Sequence, residues 1–235
     1  KNYTTRFPNF SKEVNVVPHS SIPHKNVTKY MVLDPAGRKN WFMCWVAIDE
    51  SNCWWVYREW PDSNVGDWAK WHGGKWSGGE GCKGLGYGIK DYVNLITSLE
   101  SETADNVFER LIDPRLGAAK YQAQDGASSI IEDLADAGLI FIPAPGLDIE
   151  DGLQALQTKM AYNRKMPIDG VNRPRFMISE RCQNIIMALQ EYTADGGLEE
   201  AWKDPIDTLR YLAISGAEYI NPESMKTRKP KGSGY

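Results

Sequence analysis

Tyr30-Met31-Val32-Leu33-Asp34-Pro35-Ala36-Gly37 is the stretch whose reading decides the fold. Its first four residues are apolar and suit a pleated, buried strand. The strand ends on a carboxylate, a group that resists burial unless something compensates its charge. The same grammar recurs at Leu111-Ile112-Asp113-Pro114, and Asp207 stands in Asp204-Pro205-Ile206-Asp207, where a last helix is expected to begin. Acids set repeatedly at strand tips and a helix start converge on something positive, and a divalent cation is the natural candidate. Each acid also has a local explanation. Asp-Pro initiates turns, Asp204 before Pro205 has the pattern of an N-cap with proline at N1, and Asp207 at N3 gains from the helix dipole. Only the combination points to a metal site. Asp204, three residues from Asp207 on one helix face, caps the helix and can reinforce that site.

Working outward from Asp34, residues 41–48 and 54–60 form two further β-rich runs. Gly37-Arg38-Lys39-Asn40 and Asp49-Glu50-Ser51-Asn52 supply the turns between them. Turns this short make neighbouring strands antiparallel, which gives a three-strand meander. Further strands are expected at 107–113, 139–142 and 175–178. Helices are expected at 91–99, 127–137, 149–162, 181–192 and from 205 to 219. Strands alternating with helices after a meander predict an α/β fold, a mixed β-sheet flanked by helices. A right-handed crossover lays 107–113 parallel to 29–34, so Asp34 and Asp113 emerge at one carboxyl edge, roughly 5 Å apart. Glu59 shares that edge and is expected to be solvated there, out of reach of the same ion.

Residues 1–26 lack periodicity and read as an extended leader, residues 27–222 as the folded domain, and residues 223–235 as a basic flexible tail carrying Lys226, Arg228, Lys229 and Lys231. The chain opens on Lys1-Asn2 without Met, as an excised domain or a trimmed start would. The stretch 67–88 is rich in Gly and Trp and too irregular for either period. Its Trp68, Trp71 and Trp76 stack on bases or pin the loop to the body, and its His72 and Cys82 are too few for a zinc site.

Composition excludes several classes. With 42% apolar and 25% charged residues in 235, the chain is an ordinary globular protein, and no apolar run reaches the length of a membrane span. The 4 cysteines show no zinc spacing and read as free thiols. A net charge of −4 argues mildly against nucleic acid, although clustered acids at a metal centre lower the sum. Arg38, Lys39, Arg115 and Lys120 flank the strand-tip aspartates, and Arg164 and Lys165 lie in a basic segment. These six are the phosphate-contact candidates, positioning groups rather than base readers. Three acids with two ions of Mg²⁺ or Mn²⁺ form a hydrolytic device in which metals about 3.5–4 Å apart serve the attacking water and the departing oxygen. Asp34, on the central strand, is the bridging ligand; Asp113 holds one ion and Asp207 the other.

The chain also resembles the nuclease domain of the large terminase subunit of tailed bacteriophages, a ribonuclease H-like and resolvase-like fold. The resemblance runs in order through Val32-Leu33-Asp34-Pro35-Ala36-Gly37, Leu111-Ile112-Asp113-Pro114 with Gly117, and Gly126 to Leu134. It continues through Arg173-Pro174-Arg175-Phe176, Cys182 to Ile186 and Asp204 to Tyr211. It implies that Asp34, Asp113 and Asp207 are the acidic triad of a Mg²⁺- or Mn²⁺-dependent DNA endonuclease. Such an enzyme cuts concatemeric double-stranded DNA with little sequence preference during viral genome packaging. An N-terminal ATPase motor, a small terminase subunit, a portal and the cytoplasm of a bacterial host are implied in the same way. The chain itself carries no phosphate-binding loop, so translocation does not reside in these residues. The rival readings are a Holliday-junction resolvase-like nuclease and a non-catalytic scaffold domain in which the acids only start turns and cap helices.

Overall fold

The strand that ends at Asp34 lies inside the sheet, fifth of seven and paired on both sides. A computed structural model of the chain describes residues 5–123, 126–146 and 148–221. In chain order it contains α1 (Lys12–Asn15), β1 (Val16–Val17), β2 (Val27–Asp34), β3 (Phe42–Asp49) and β4 (Trp54–Trp60). Then come β5 (Ala69–His72), β6 (Lys75–Gly78), α2 (Ile89–Glu102), β7 (Val107–Ile112), α3 (Pro114–Ala118), β8 (Tyr121–Ala123) and β9 (Gly126–Ser128). The last elements are α4 (Ile130–Asp136), β10 (Ile142–Pro143), α5 (Ile149–Met160), β11 (Phe176–Ser179), α6 (Gln183–Glu191) and α7 (Lys203–Ile214).

Seven strands form one mixed sheet in the order β1-β11-β4-β3-β2-β7-β10. The meander β2-β3-β4 is antiparallel throughout, as the short turns require. The crossover through α2 returns β7 parallel to β2. β11 is parallel to β4, β1 to β11 and β10 to β7, so every strand of this sheet except β3 ends at the same edge.

Alternation along β2 separates two cores. Tyr30 and Val32 join a cluster with Leu153 and Leu156 of α5, Ile185 and Leu189 of α6, and Ile206 and Leu209 of α7. Met31 and Leu33 face the other way, toward Tyr92 and Ile96 of α2 and Leu134 of α4. A strand buried on both faces reads as a continuous apolar run, which is why 30–33 shows no polar alternation.

Four sequence expectations need correction. Residues 5–26 are part of the fold: Phe7 is buried in the α5–α7 core, Ile22 in the other, and β1 extends the sheet along β11. Residues 67–88 contain a regular hairpin, β5–β6, closed by Gly73 and Gly74, both at positive φ as a tight two-residue turn demands. Residues 139–142 do not form one buried strand. Leu139 and Phe141 are buried while Ile140 and Ile142 are exposed, as alternation at a sheet edge gives. α7 starts after Trp202, so Asp204 and Pro205 both lie in its first turn, and it ends before Gly216 at positive φ rather than at 219. Pro205 is tolerated there because the first-turn N–H groups have no intrahelical acceptor anyway. Residues 223–235 lie outside the described residues.

Candidate active site

Two-residue periodicity decides where the strand-tip acids point. Tyr30 and Val32 face α5–α7, and Asp34 continues that series; Leu111 faces the same side and Asp113 continues it. The β2–β7 ladder pairs Leu33 with Ile112, and the Asp113 N–H then donates to the Leu33 carbonyl at 3.1 Å. The two acids therefore stand on neighbouring chains at one carboxyl edge. α7 packs across β2 and β7 at this end, and Asp204, Asp207 and Tyr211 share one of its faces by their spacing of three and four. Tyr211 closes the gap, its hydroxyl donating to Asp113 Oδ2 at 2.7 Å.

All four acids are largely withdrawn from water, with Asp34 6%, Asp113 7%, Asp204 9% and Asp207 2% exposed. Three have partners. Asp113 accepts from the backbone N–H groups of Arg115 and Leu116 and so caps α3 as well as receiving Tyr211. Asp204 is ion-paired with Lys39, and Asp207 with Lys203 and with Arg210, whose Nε donates at 2.9 Å. The Asp34 carboxylate has no hydrogen-bond partner among the described residues. Burial holds its carboxyl well above the ordinary aspartate range, and repulsion from Asp204, Asp207 and Asp113 adds to this while Lys203 offsets part. Tyr211 is pushed up by burial and by the charges of Asp34 and Asp207, so it remains a protonated donor. Burial opposes the charge on Lys203, but Asp207, Asp34 and Asp204 outweigh it and raise its pKa. These mutual effects place the four acids and one lysine within a single electrostatic neighbourhood.

Arg210 reaches Asp207 through a gap that glycine makes. A Cβ at Gly152 of α5 would stand 2.3 Å from Arg210 Cγ, so the helices could not hold the guanidinium stem between them otherwise. Sequence reasoning does not single out Lys203, Arg210 or Tyr211, although they stand at i−4, i+3 and i+4 from Asp207, the spacings at which helical side chains meet.

The set suits a hard cation in one respect and not yet in another. Its donors are all carboxylate oxygens, and Asp34 is a buried, repelled acid with no partner among the described residues, the condition that a divalent ion relieves. As the side chains stand, no group of three His, Cys, Asp or Glu among the described residues is gathered closely enough to hold an ion. Asp204 and Asp207 are turned toward lysine and arginine, and Asp113 toward Tyr211.

The basic candidates divide by position. Arg38 lines a cavity of about 210 Å³ beside the tip of β2, with Trp41, Gly84 and Tyr87, and Lys39 reaches Asp204. Arg115 is the second residue of α3, which Asp113 caps, and Lys120 is paired with Glu132. Arg164 and Lys165 do not join them. They precede β11, whose first residue pairs with Trp54 at the start of β4, so they lie toward the opposite edge, where Arg164 bonds to the Pro8 carbonyl. Glu59 also departs from expectation. It is buried rather than solvated, and its two oxygens accept from the N–H groups of Asn184 and Ile185 at 2.8 Å each, capping α6. Among the described residues no helix is long and apolar enough to cross a membrane.

No known family profile matches the chain, and no curated protein matches it in sequence. Solved structures are similar in architecture. The large terminase of a thermophilic bacteriophage (crystal form 2) matches with a TM-score of 0.60 and 14% identity, over 89% of this chain and 43% of that one. The same thermophilic phage's large terminase in complex with ADP gives 0.60 and 14%, over 89% and 44%. The P22 large terminase nuclease domain gives 0.59 and 14%, over 89% of this chain and 91% of that one. The chain thus spans less than half the length of the thermophilic-phage proteins and nearly all of the P22 domain. Identity this low carries the architecture alone, and that architecture is the ribonuclease H-like α/β fold of a phage large-terminase nuclease domain.

Proposed function

We propose that the chain is the endonuclease domain of a DNA-packaging terminase large subunit, hydrolysing phosphodiester bonds of concatemeric double-stranded DNA with Mg²⁺ or Mn²⁺. The observation that carries this reading is Asp34: buried, without a hydrogen-bond partner among the described residues, and repelled by three other acids at the edge where open α/β sheets place their ligands. Asp34, Asp113 and Asp207 would hold the ions, with Asp204 in support. A pair of such ions supplies an activated water and neutralises charge on the departing oxygen. Release of Asp207 from Lys203 and of Asp204 from Lys39 are among the rearrangements this reading requires.

The chain's own groups set the rest. Asp34 sits at the end of a strand paired on both sides, so it is the most rigidly held ligand. Tyr211 and the α3 N–H groups fix the Asp113 carboxylate, and Arg210 fixes Asp207. Arg38 and Arg115 flank the acids as phosphate-positioning groups, a role that reads no bases and is consistent with low sequence preference. An ATPase motor elsewhere in the longer protein, a small subunit and a portal complete the proposed assembly, in the cytoplasm of a bacterial host.

The test is plasmid cleavage with Mn²⁺ or Mg²⁺ by the wild type beside Asp34→Asn and Asp207→Asn. Nicking and linearisation by the wild type, lost in both variants, is the expected result. An inert wild type under every metal, together with no calorimetric ion binding at millimolar concentration, leaves a scaffold domain. A strong preference for four-way junctions moves the assignment to a resolvase.

A further inference from the structure

The hairpin that sequence periodicity misses builds a second cleft. The β5–β6 turn leans over the C-terminal end of α6 and the start of α7, enclosing about 740 Å³. Trp71, Trp76 and Trp202 form its apolar wall, with Trp76 edge-on to Trp71 at 5.5 Å and to Trp202 at 5.0 Å between ring centroids. Trp71 is 59% exposed, far more than an indole serving only to pin a hairpin. Around these rings stand Glu191, Asp195, Glu199 and Glu200, against Lys75 as the one base of the lining among the described residues.

Two polar atoms here are left over. Among the described residues, Trp202, only 2% exposed, has an Nε1–H without an acceptor, and Glu200 Oε2 is buried without a donor, although Glu200 Oε1 accepts from the Thr193 N–H at 2.8 Å. Buried groups of this kind are ordinarily satisfied by protein or ordered water, so both mark polar positions beside the cleft.

We propose that this cleft binds an arginine- or lysine-bearing segment of a protein partner. Indole faces attract cations, and guanidinium donors match the surrounding carboxylates. Nucleic acid is the poorer occupant, because four carboxylates repel a phosphate chain even where tryptophans invite stacking. The inference stands apart from the nuclease reading, since none of these residues belongs to the acidic centre.

The experiment titrates the full chain with a blocked Gly-Arg-Gly-Arg-Gly peptide, read by calorimetry and by the indole N–H resonances of ¹⁵N-labelled protein. Saturable one-to-one binding is expected, with shifts at Trp71, Trp76 and Trp202, weakened about fivefold in Trp71→Ala and in Glu199→Gln. Both substitutions are at exposed positions, and an unchanged thermal midpoint verifies folding. The proposal is overturned if the peptide binds no better than its Gly-Glu counterpart. It is equally overturned if both variants bind as the wild type does, or if oligo-dT moves those resonances and the arginine peptide does not.

Discussion

The Tyr211 hydroxyl donates to Asp113 Oδ2 at 2.7 Å, so the last helix and the tip of β7 are joined through the acidic centre itself. Tyr211→Phe leaves a buried carboxylate oxygen without its donor. A loss of about 1–2 kcal/mol is expected in urea unfolding, with an unchanged denaturant slope. Equal stability of variant and wild type would show that the bond contributes nothing.

Asp34 is where stability and the proposed activity oppose each other. Asp34→Asn removes a repelled buried charge at almost constant shape, so the variant should gain about 1 kcal/mol or more in EDTA. Mn²⁺ should raise the thermal midpoint of the wild type by binding only the folded state, and leave that of the variant unmoved. A variant less stable in EDTA, or one still stabilised by Mn²⁺, contradicts the account.

Gly152→Ala separates packing from helix propensity by sign. In an open helix the change would stabilise by about 1 kcal/mol. Here the new methyl meets Arg210 Cγ at 2.3 Å, and a loss of about 1–3 kcal/mol is expected, with slower cleavage because Asp207 loses its fixed partner. Any gain in stability would mean that Arg210 moves aside freely.

Burial raises the Glu59 carboxyl to about 8, against the lowering effect of its two backbone hydrogen bonds. A folded-state pKa above the unfolded value means that the folded chain holds the proton more tightly. Stability from this group is complete below the usual glutamate range and is lost as pH rises toward about 8. The thermal midpoint of the wild type should therefore fall between about pH 5 and 8 more steeply than that of Glu59→Gln. Parallel curves would show that Glu59 is charged throughout.

The meander, the parallel return of β7 and the shared edge of Asp34 and Asp113 are legible in the sequence because short turns and apolar runs are local signals. The β5–β6 hairpin is legible in principle, since Gly73-Gly74 between Trp-bearing runs is a turn signature, but each strand is too short to show a period. The partners of the acids are harder. Lys39 and Asp204 are 165 residues apart, and nothing in the neighbourhood of either announces the other. Glu59 defeats the sequence reading for a related reason: its strand predicts an edge, but only the arrival of α6 turns that edge into an interior. The start of α7 differs from expectation because Asp204 does not cap it: its carboxylate is paired with the distant Lys39, and the N-cap position falls on Trp202, which makes no side-chain cap.

The strand β1 has a practical consequence for anyone trimming this protein. Deleting everything before residue 27 would uncover the backbone of β11 and pull Phe7 from its seat against Tyr192. It would also remove Asn15, whose amide donates to the Phe176 carbonyl. An open flank of this sort recruits other chains, so such a fragment should precipitate or pair with its own kind.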